Sequence, residues 1–262
     1  MKWHRINAIL IRNLYLYKRS LPRIMDIVYW PVMELLVWGF LSAYLEKFQF
    51  SSLNVTTVLL GGVVFWDLLT RSQEAISVAF LEEVWEKNFL NIFVTPLKLS
   101  EMLTAFFLIG VVRIILVGLV AALLAFLLYH FNILLFGMYL VPFVINLLLF
   151  GMAAGVFIIA IIFRYGTSAQ ILAFGLVFLI QPFAAVFYPV AALPAWAQWI
   201  SYLLPPSYVF EGMRAVIATG ALPSRELWLA FGTNAIYLAL SLLLFYRMFR
   251  RVKEKGLLLK LN

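Results

Sequence analysis

The sequence predicts an all-α polytopic membrane protein with about six transmembrane helices, and three observations carry the prediction. Hydrophobic residues make up 65% of the chain and charged residues 12%, against roughly 45–50% and 25% in an ordinary soluble domain. Six separate stretches are each long and apolar enough for a helix to cross a hydrocarbon core of about 30 Å, which takes roughly 20 residues. Fifteen of the twenty Lys and Arg residues fall on one side of those stretches. A soluble fold of 262 residues would have too few polar side chains to cover its surface, a need that lipid removes.

The elements follow in order. Residues 1–26 form an amphipathic helix in which Trp3, Ile6, Leu10, Leu14, Tyr17 and Leu21 recur with a period near 3.6, while Arg5, Arg12 and Arg19 line the other face. Such a helix lies in the membrane interface, aromatics down and arginines toward anionic headgroups. It serves either as a topology anchor or as a gate helix that relays motion. It is not a cleavable signal peptide, because it lacks a compact apolar core and a small-residue cleavage site.

The spans are read at 27–45, 54–73, 102–129, 133–163, 169–190 and 226–246, within one transmembrane domain over 27–246. The fourth is too long to be straight, and Pro142 with the Gly151/Gly155 pair predicts a kink or tilt there. The side rich in Lys and Arg, including a basic tail over 247–262, is cytoplasmic. Both termini are therefore cytoplasmic, and the basic pI is a topology signal that argues against nucleic acid as a partner.

Between the second and third spans, Glu82, Glu83, Trp85, Glu86, Phe89 and Ile92 lead to Pro96. Trp85, Phe89 and Ile92 are expected on one helical face, with acids around them. Pro96 stops the helix, and Ser100 is placed to cap the next one. The segment is either a solvated surface helix or a docking helix for a cytoplasmic partner.

The segment 189–223 is too broken by proline to span. Helices over 195–204 and 207–219 would reach only about 15 and 20 Å, so two short helices are expected to dip in from outside and return. Gly220 is placed as a C-cap, Glu211 and Arg214 can pair at i, i+3, and Trp196, Trp199 and Tyr202 suit the headgroup level.

Charges also fall inside or at the ends of the spans: Glu34, Asp67, Arg71, Glu74 and Arg113. An isolated charge at mid-bilayer costs at least about 2.5–3.5 kcal/mol. Asp67 and Arg71 are an i, i+4 pair, Arg71 and Glu74 are placed near the interface, and Arg113 needs Glu34 or Asp67 from another span. These charges either form structural salt bridges or line a substrate path.

Much chemistry is excluded. There is no cysteine, hence no disulfide, thiolate metal site or cysteine nucleophile. His4 and His130 lie on opposite sides, and no HExxH, GxSxG or GxxxxGK[ST] sequence is present. Neither a metal site nor a cofactor is predicted, and the chain has no P-loop of its own.

Over nearly its whole length the chain resembles the permease subunits of type-2 ATP-binding-cassette exporters. The likeness rests on two stretches. Residues 82–101, with Thr95-Pro96-Leu97 and Ser100-Glu101, resemble the family's coupling-helix region. Phe187-Tyr188-Pro189, Leu193-Pro194-Ala195-Trp196, Leu204-Pro205-Pro206 and Glu211-Gly212-Met213-Arg214 resemble its outer re-entrant segment, although Leu204 stands where the family has Asn.

The resemblance implies a multi-pass protein of a prokaryotic cell (inner or plasma) membrane. It would pair with a second copy of itself and with two copies of a cytoplasmic P-loop ATPase, and export an amphipathic cargo such as a glycan, a lipid-linked saccharide, a lipid or a drug-like molecule. The chain itself would be no enzyme. Membrane lipids are its other partners. The residues alone also permit an ATP-independent channel or secondary transporter, or a membrane-embedded lipid-modifying enzyme.

Overall fold

The computed structural model describes residues 1–47, 55–221 and 224–254, and among these the chain is helical without strands. Asn54, Pro223, Lys255 and Lys260 therefore lie outside the described residues. Helix α1 (Trp3–Arg19) gives way to α2 (Leu21–Glu46) at Ser20, whose extended backbone breaks the helix two residues before Pro22 in the first turn of α2. Then come α3 (Val55–Trp85), α4 (Phe89–Val94), α5 (Leu99–Tyr129), a 3-10 stretch Ile133–Tyr139 and α6 (Leu140–Tyr165). The chain continues with α7 (Ile171–Ile180), α8 (Ala195–Leu203), α9 (Pro205–Thr219) and α10 (Ser224–Glu254).

Helix α3 is the axis of the bundle, with α2, α5 and α6 packed around it and α7 and α9 touching it. Its side chains are buried on nearly every side. Phe65, Leu60, Phe136, Phe143, Phe210 and Met213 pack together at one end. Phe80, Met102, Phe163, Phe245 and Val252 form the core of the other. Ile9, Leu10, Met248 and Phe249 pack on this second core, so α1 and the last turns of α10 share one end of the molecule, called the basic end below.

Among the described residues four stretches are long and apolar enough to cross a membrane: Leu21–Glu46, Leu99–Tyr129, Ile133–Ala169 and Ser224–Glu254. The 31 residues of α3 reach about 46 Å, more than enough, but the helix is charged and spends its polarity inside the protein. The span expected at 169–190 is corrected. The apolar helix there covers only Ile171–Phe183, about 20 Å, because Pro182 opens a 3-10 turn and Ala185 takes a left-handed φ of 54°.

The Gly151/Gly155 pair does not kink α6. The break lies earlier, at Gly137 (φ 51°, ψ −131°), so that Pro142 falls in the first turn of α6, where proline is tolerated. The two glycines instead bring α6 against α3. A Cβ on Gly151 would stand 2.6 Å from Ser72 Cβ, and one on Gly155 would stand 2.8 Å from Ile76 Cβ. Ser72 Oγ donates to the Leu148 carbonyl at 2.8 Å across this contact.

The opposite face of α6 packs on α10 through a buried amide pair. Asn234 Nδ2 donates to Asn146 Oδ1 at 2.9 Å and to the Asn146 carbonyl at 3.1 Å. Interhelical hydrogen bonds in membrane proteins average about 0.6 kcal/mol and reach about 1.7. Asn234→Leu should therefore lower the thermal midpoint slightly while the protein still assembles. A loss of all folded material in that variant would show that the pair does more than join two helices.

Candidate functional site

The basic end carries the first half of the candidate site. Helix α3 runs on to Trp85, Lys87 takes a left-handed φ of 52°, and the separate six-residue α4 starts at Phe89. The single docking helix expected here is thus corrected to a helix end, a turn and a short helix. Trp85 and Ile92, expected on one helical face, thus stand on two separate helices. Ile92 packs inward on the core, whereas Trp85 is half exposed and its Nε1–H donates to Gln170 Oε1 at 3.0 Å. Val94 is 88% exposed, and the side chain of Phe89 lies outside the described positions. Pro96 ends α4 as expected, since Thr95 before it takes an extended conformation.

The acids of this turn do not face solvent alone. Glu82 meets Arg23 at 3.1 Å, and Glu86 lies 3.5 Å from Arg12 and 3.7 Å from Arg23. Glu83 pairs with Arg12 and accepts from Asn88 Nδ2 at 2.7 Å. Arg5 reaches Glu101 at 3.5 Å and also donates to the Pro96 carbonyl. Arg5 and Arg12 therefore clamp α1 onto the turn rather than pointing at headgroups, while Arg19 is exposed.

The apolar face of α1 is divided to match. Ile6 and Leu10 pack into the bundle, whereas Trp3 and Leu14 stay exposed and Tyr17 is partly covered; Leu21, expected on the same face, is the exposed first residue of α2. A helix held against α5 needs one apolar flank for its neighbour and a second for lipid. Between α1 and the turn lies a cavity of about 440 Å³, lined among others by Arg5, Arg12, Asn88, Asn91 and Met102.

Glu101 organises the junction. Helix α5 starts at Leu99 with Lys98 as N-cap, not Ser100. Glu101 reaches back to accept the Lys98 N–H at 2.9 Å and takes the Lys2 N–H at 2.7 Å. Acids at this position complete a capping box. Arg23, Glu101 and Gln170 were not singled out as contact residues, because their side-chain partners Glu82, Arg5 and Trp85 lie far away in sequence. Only the spacing of Glu101 from Lys98 gave a local signal.

The second half is the buried charge cluster around α3. Arg71 Nε donates to Asp67 Oδ1 at 3.0 Å, and Arg71 Nη1 donates to Glu74 Oε2 at 2.9 Å. Arg113 on α5 approaches the same Glu74 oxygen at 3.8 Å. Arg113 thus reaches an acid two turns beyond Asp67, one that had been placed at the membrane interface. Glu34 on α2 lies within electrostatic reach of Asp67, Arg71 and Glu74.

At the far end, the segment after Ala185 folds back through Pro189 and a 3-10 turn into α8 and α9. Pro194 precedes α8, while Pro205 and Pro206 open α9, two residues earlier than the expected start at Ser207. Missing N–H groups are harmless in a first turn. Gly220 caps α9 with φ 72°. Glu211 and Arg214 pair at 3.1 Å, and both also hold the preceding chain. Glu211 accepts the Val190 N–H at 2.6 Å, and Arg214 donates to the Val186 carbonyl at 3.3 Å. Trp196, Trp199 and Tyr202 are exposed on α8.

Among the described residues no group of three His, Asp or Glu side chains could hold a metal ion. Apolar helices around a buried charged axis, with an amphipathic helix clamped to one end and a short helix pair folded in at the other, define a multi-pass membrane protein. The sequence pattern of the ABC-2 type transporter matches residues 5–218. The chain belongs to that family and is a permease of an ABC transporter. No curated protein matches it.

Proposed function

We propose that the chain is the membrane half of an ATP-driven exporter, paired with a second copy and powered by two cytoplasmic ATPases. The observation behind this reading is the turn at the basic end. Trp85 and Val94 are exposed there, and three arginines tie the acids around them to α1 and to the start of α2. The crowding of Lys and Arg near that end supports a cytoplasmic orientation, with residues 188–223 outside, in the inner or plasma membrane of a prokaryote.

A partner that pushes on the turn would move α3, α5 and α1 together, because the ion pairs leave them few independent motions. ATP-driven closure of the partner would thereby open a path for an amphipathic cargo between the two permeases. In this reading α1 acts as a gate helix, and Glu211 and Arg214 keep the outer helix pair in place.

The test is recruitment. Aromatic anchors at interface centres commonly contribute 2 kcal/mol or more, roughly thirtyfold in affinity. Trp85→Ala should weaken retention of a neighbouring-gene ATPase by about that factor after mild detergent extraction. A protein that emerges alone and moves its cargo without ATP would end the exporter reading.

A further inference from the structure

Helices α6 and α10 run side by side in the same direction toward the basic end. They meet first at Asn146 and Asn234 and later at Phe163 and Phe249, whose ring centroids lie 5.5 Å apart. Helix α7 also packs on α6. Between the three helices lies a cavity of about 290 Å³, with Phe157 of α6, Leu176 of α7, and Leu240 and Leu244 of α10 among its walls. The side chains that line it are apolar apart from the hydroxyls of Tyr237 and Ser241. Leu240 is itself exposed, with Ile236 and Leu243 beside it, so the cavity opens onto the apolar outer face of α10.

Polarity changes two turns further on. Seven residues separate Phe157 from Arg164, Leu240 from Arg247, and Leu244 from Arg251. Seven residues are two helical turns, so each arginine follows its apolar predecessor on the same helix face, about 10 Å nearer the basic end. All three arginines are exposed, and among the described residues none of them meets an acid. Other arginines of this end differ. Arg5, Arg12 and Arg23 are held by Glu101, Glu83 and Glu82, and Arg250 by Glu254 at 2.8 Å. Uncompensated positive charge therefore stands in line with the groove, on both of its long walls.

Together these features fit a ligand with an apolar chain and an anionic head, spaced along the helix axes. A free anion would use the arginines and leave the cavity unused, as would an acidic surface of a soluble protein. A phospholipid of the surrounding bilayer uses both, and basic pockets between membrane helices recognise anionic headgroups in this way.

We infer that the groove between α6, α7 and α10 holds an acyl chain of an anionic phospholipid, whose headgroup phosphate lies against Arg164, Arg247 and Arg251. The site needs neither an ATPase nor a cargo, so it stands apart from the export reading.

The experiment is native mass spectrometry of the purified, delipidated full-length chain, titrated with phosphatidylglycerol or with phosphatidylcholine of the same acyl chains. Choline cancels the phosphate charge, so phosphatidylglycerol should bind about tenfold or more tighter. Each cation near an anionic headgroup contributes about fivefold in affinity. The double variant Arg247→Gln, Arg251→Gln should therefore lose about tenfold or more for phosphatidylglycerol and little for phosphatidylcholine. Both arginines are exposed, so their replacement spares the fold. Arg225→Gln, at the opposite end of α10, should change neither Kd. Ala154→Leu, which puts a larger side chain into the cavity wall, should weaken both lipids. Glycerol 3-phosphate, a headgroup without chains, should not displace the lipid.

Equal affinity for the two lipids, an unchanged Kd in the double variant or in Ala154→Leu, or displacement by glycerol 3-phosphate overturns the site. A double variant that keeps its lipid but sheds a co-purifying ATPase would assign the arginines to that partner and overturn it too. So would a stable dimer that takes up neither lipid, because a second copy would then cover the groove.

Discussion

Replacing Arg71 by methionine should cost the folded protein about 3–5 kcal/mol, the range found when one member of a buried ion pair is removed. Arg71 donates to both Asp67 and Glu74, and it is only 4% exposed. Methionine fills much of the space but leaves two carboxylates competing for Arg113, which reaches Glu74 at 3.8 Å. The Coulomb gain of the original pairs is not the issue, since desolvation offsets much of it. The cost arises because acids made for a cation are left without one in a region that water does not reach.

The triple variant Asp67→Asn, Arg71→Met, Glu74→Gln separates these terms. It removes the ion pairs and the stranded acids together, leaving Glu34 and Arg113 as opposite charges. It should therefore melt much closer to the wild type than Arg71→Met alone. Thermal midpoints of the purified variants in detergent decide the matter. If Arg71→Met melts with the wild type, or the triple variant is the worse of the two, the cluster does not hold α3 in place.

What could be read from the sequence was mostly local. Asp67 and Arg71, or Glu211 and Arg214, are neighbours on one helix, so spacing alone sets their meeting. Gly220 and Pro96 act within a few residues of themselves and end helices as expected, whereas the Pro205-Pro206 pair lies inside the first turn of α9 rather than before it. The long apolar stretches around α5, α6 and α10 needed only their own composition.

The misreadings involve partners far along the chain. Periodicity put Arg5 and Arg12 on a polar face but could not say whether headgroups or Glu83 and Glu101 waited there. The acids near Trp85 suggested a free docking surface because the arginines that neutralise them lie about sixty to ninety-five residues earlier. The fifth span failed for another reason. Its apolar run continues past Phe183, but a proline and a left-handed alanine end the helix where hydropathy sees no change. The glycine pair was read with Pro142 as a kink or tilt, although a small residue in a membrane helix equally marks close approach.

That close approach gives the other large effect. Leucine at Gly151 or Gly155 should prevent α6 from seating on α3 and should remove most of the folded protein. At Gly151 a single Cβ would already lie 2.6 Å from Ser72 Cβ and 2.7 Å from the Leu69 carbonyl. At Gly155 it would lie 2.8 Å from Ile76 Cβ and 2.9 Å from the Gln73 carbonyl. These neighbours are backbone or the first atom of a side chain, so none can swing aside, and the helices themselves must part. Alanine gains about 1 kcal/mol of helix propensity over glycine, while overpacking costs about 1–3 kcal/mol and occasionally more. Gly151→Ala should thus be destabilising on balance, and Gly151→Leu, with three further carbons in the same space, far more so. Separating the helices would also stretch the bond from Ser72 to Leu148. Gly232→Ala on α10 is the control, because nothing lies within 4 Å of its added Cβ and only the propensity gain remains. Monodisperse yield and thermal midpoint should rank Gly232→Ala at or above the wild type, Gly151→Ala below it, and Gly151→Leu and Gly155→Leu last. If the leucine variants melt with Gly232→Ala, the two helices are not packed through these glycines.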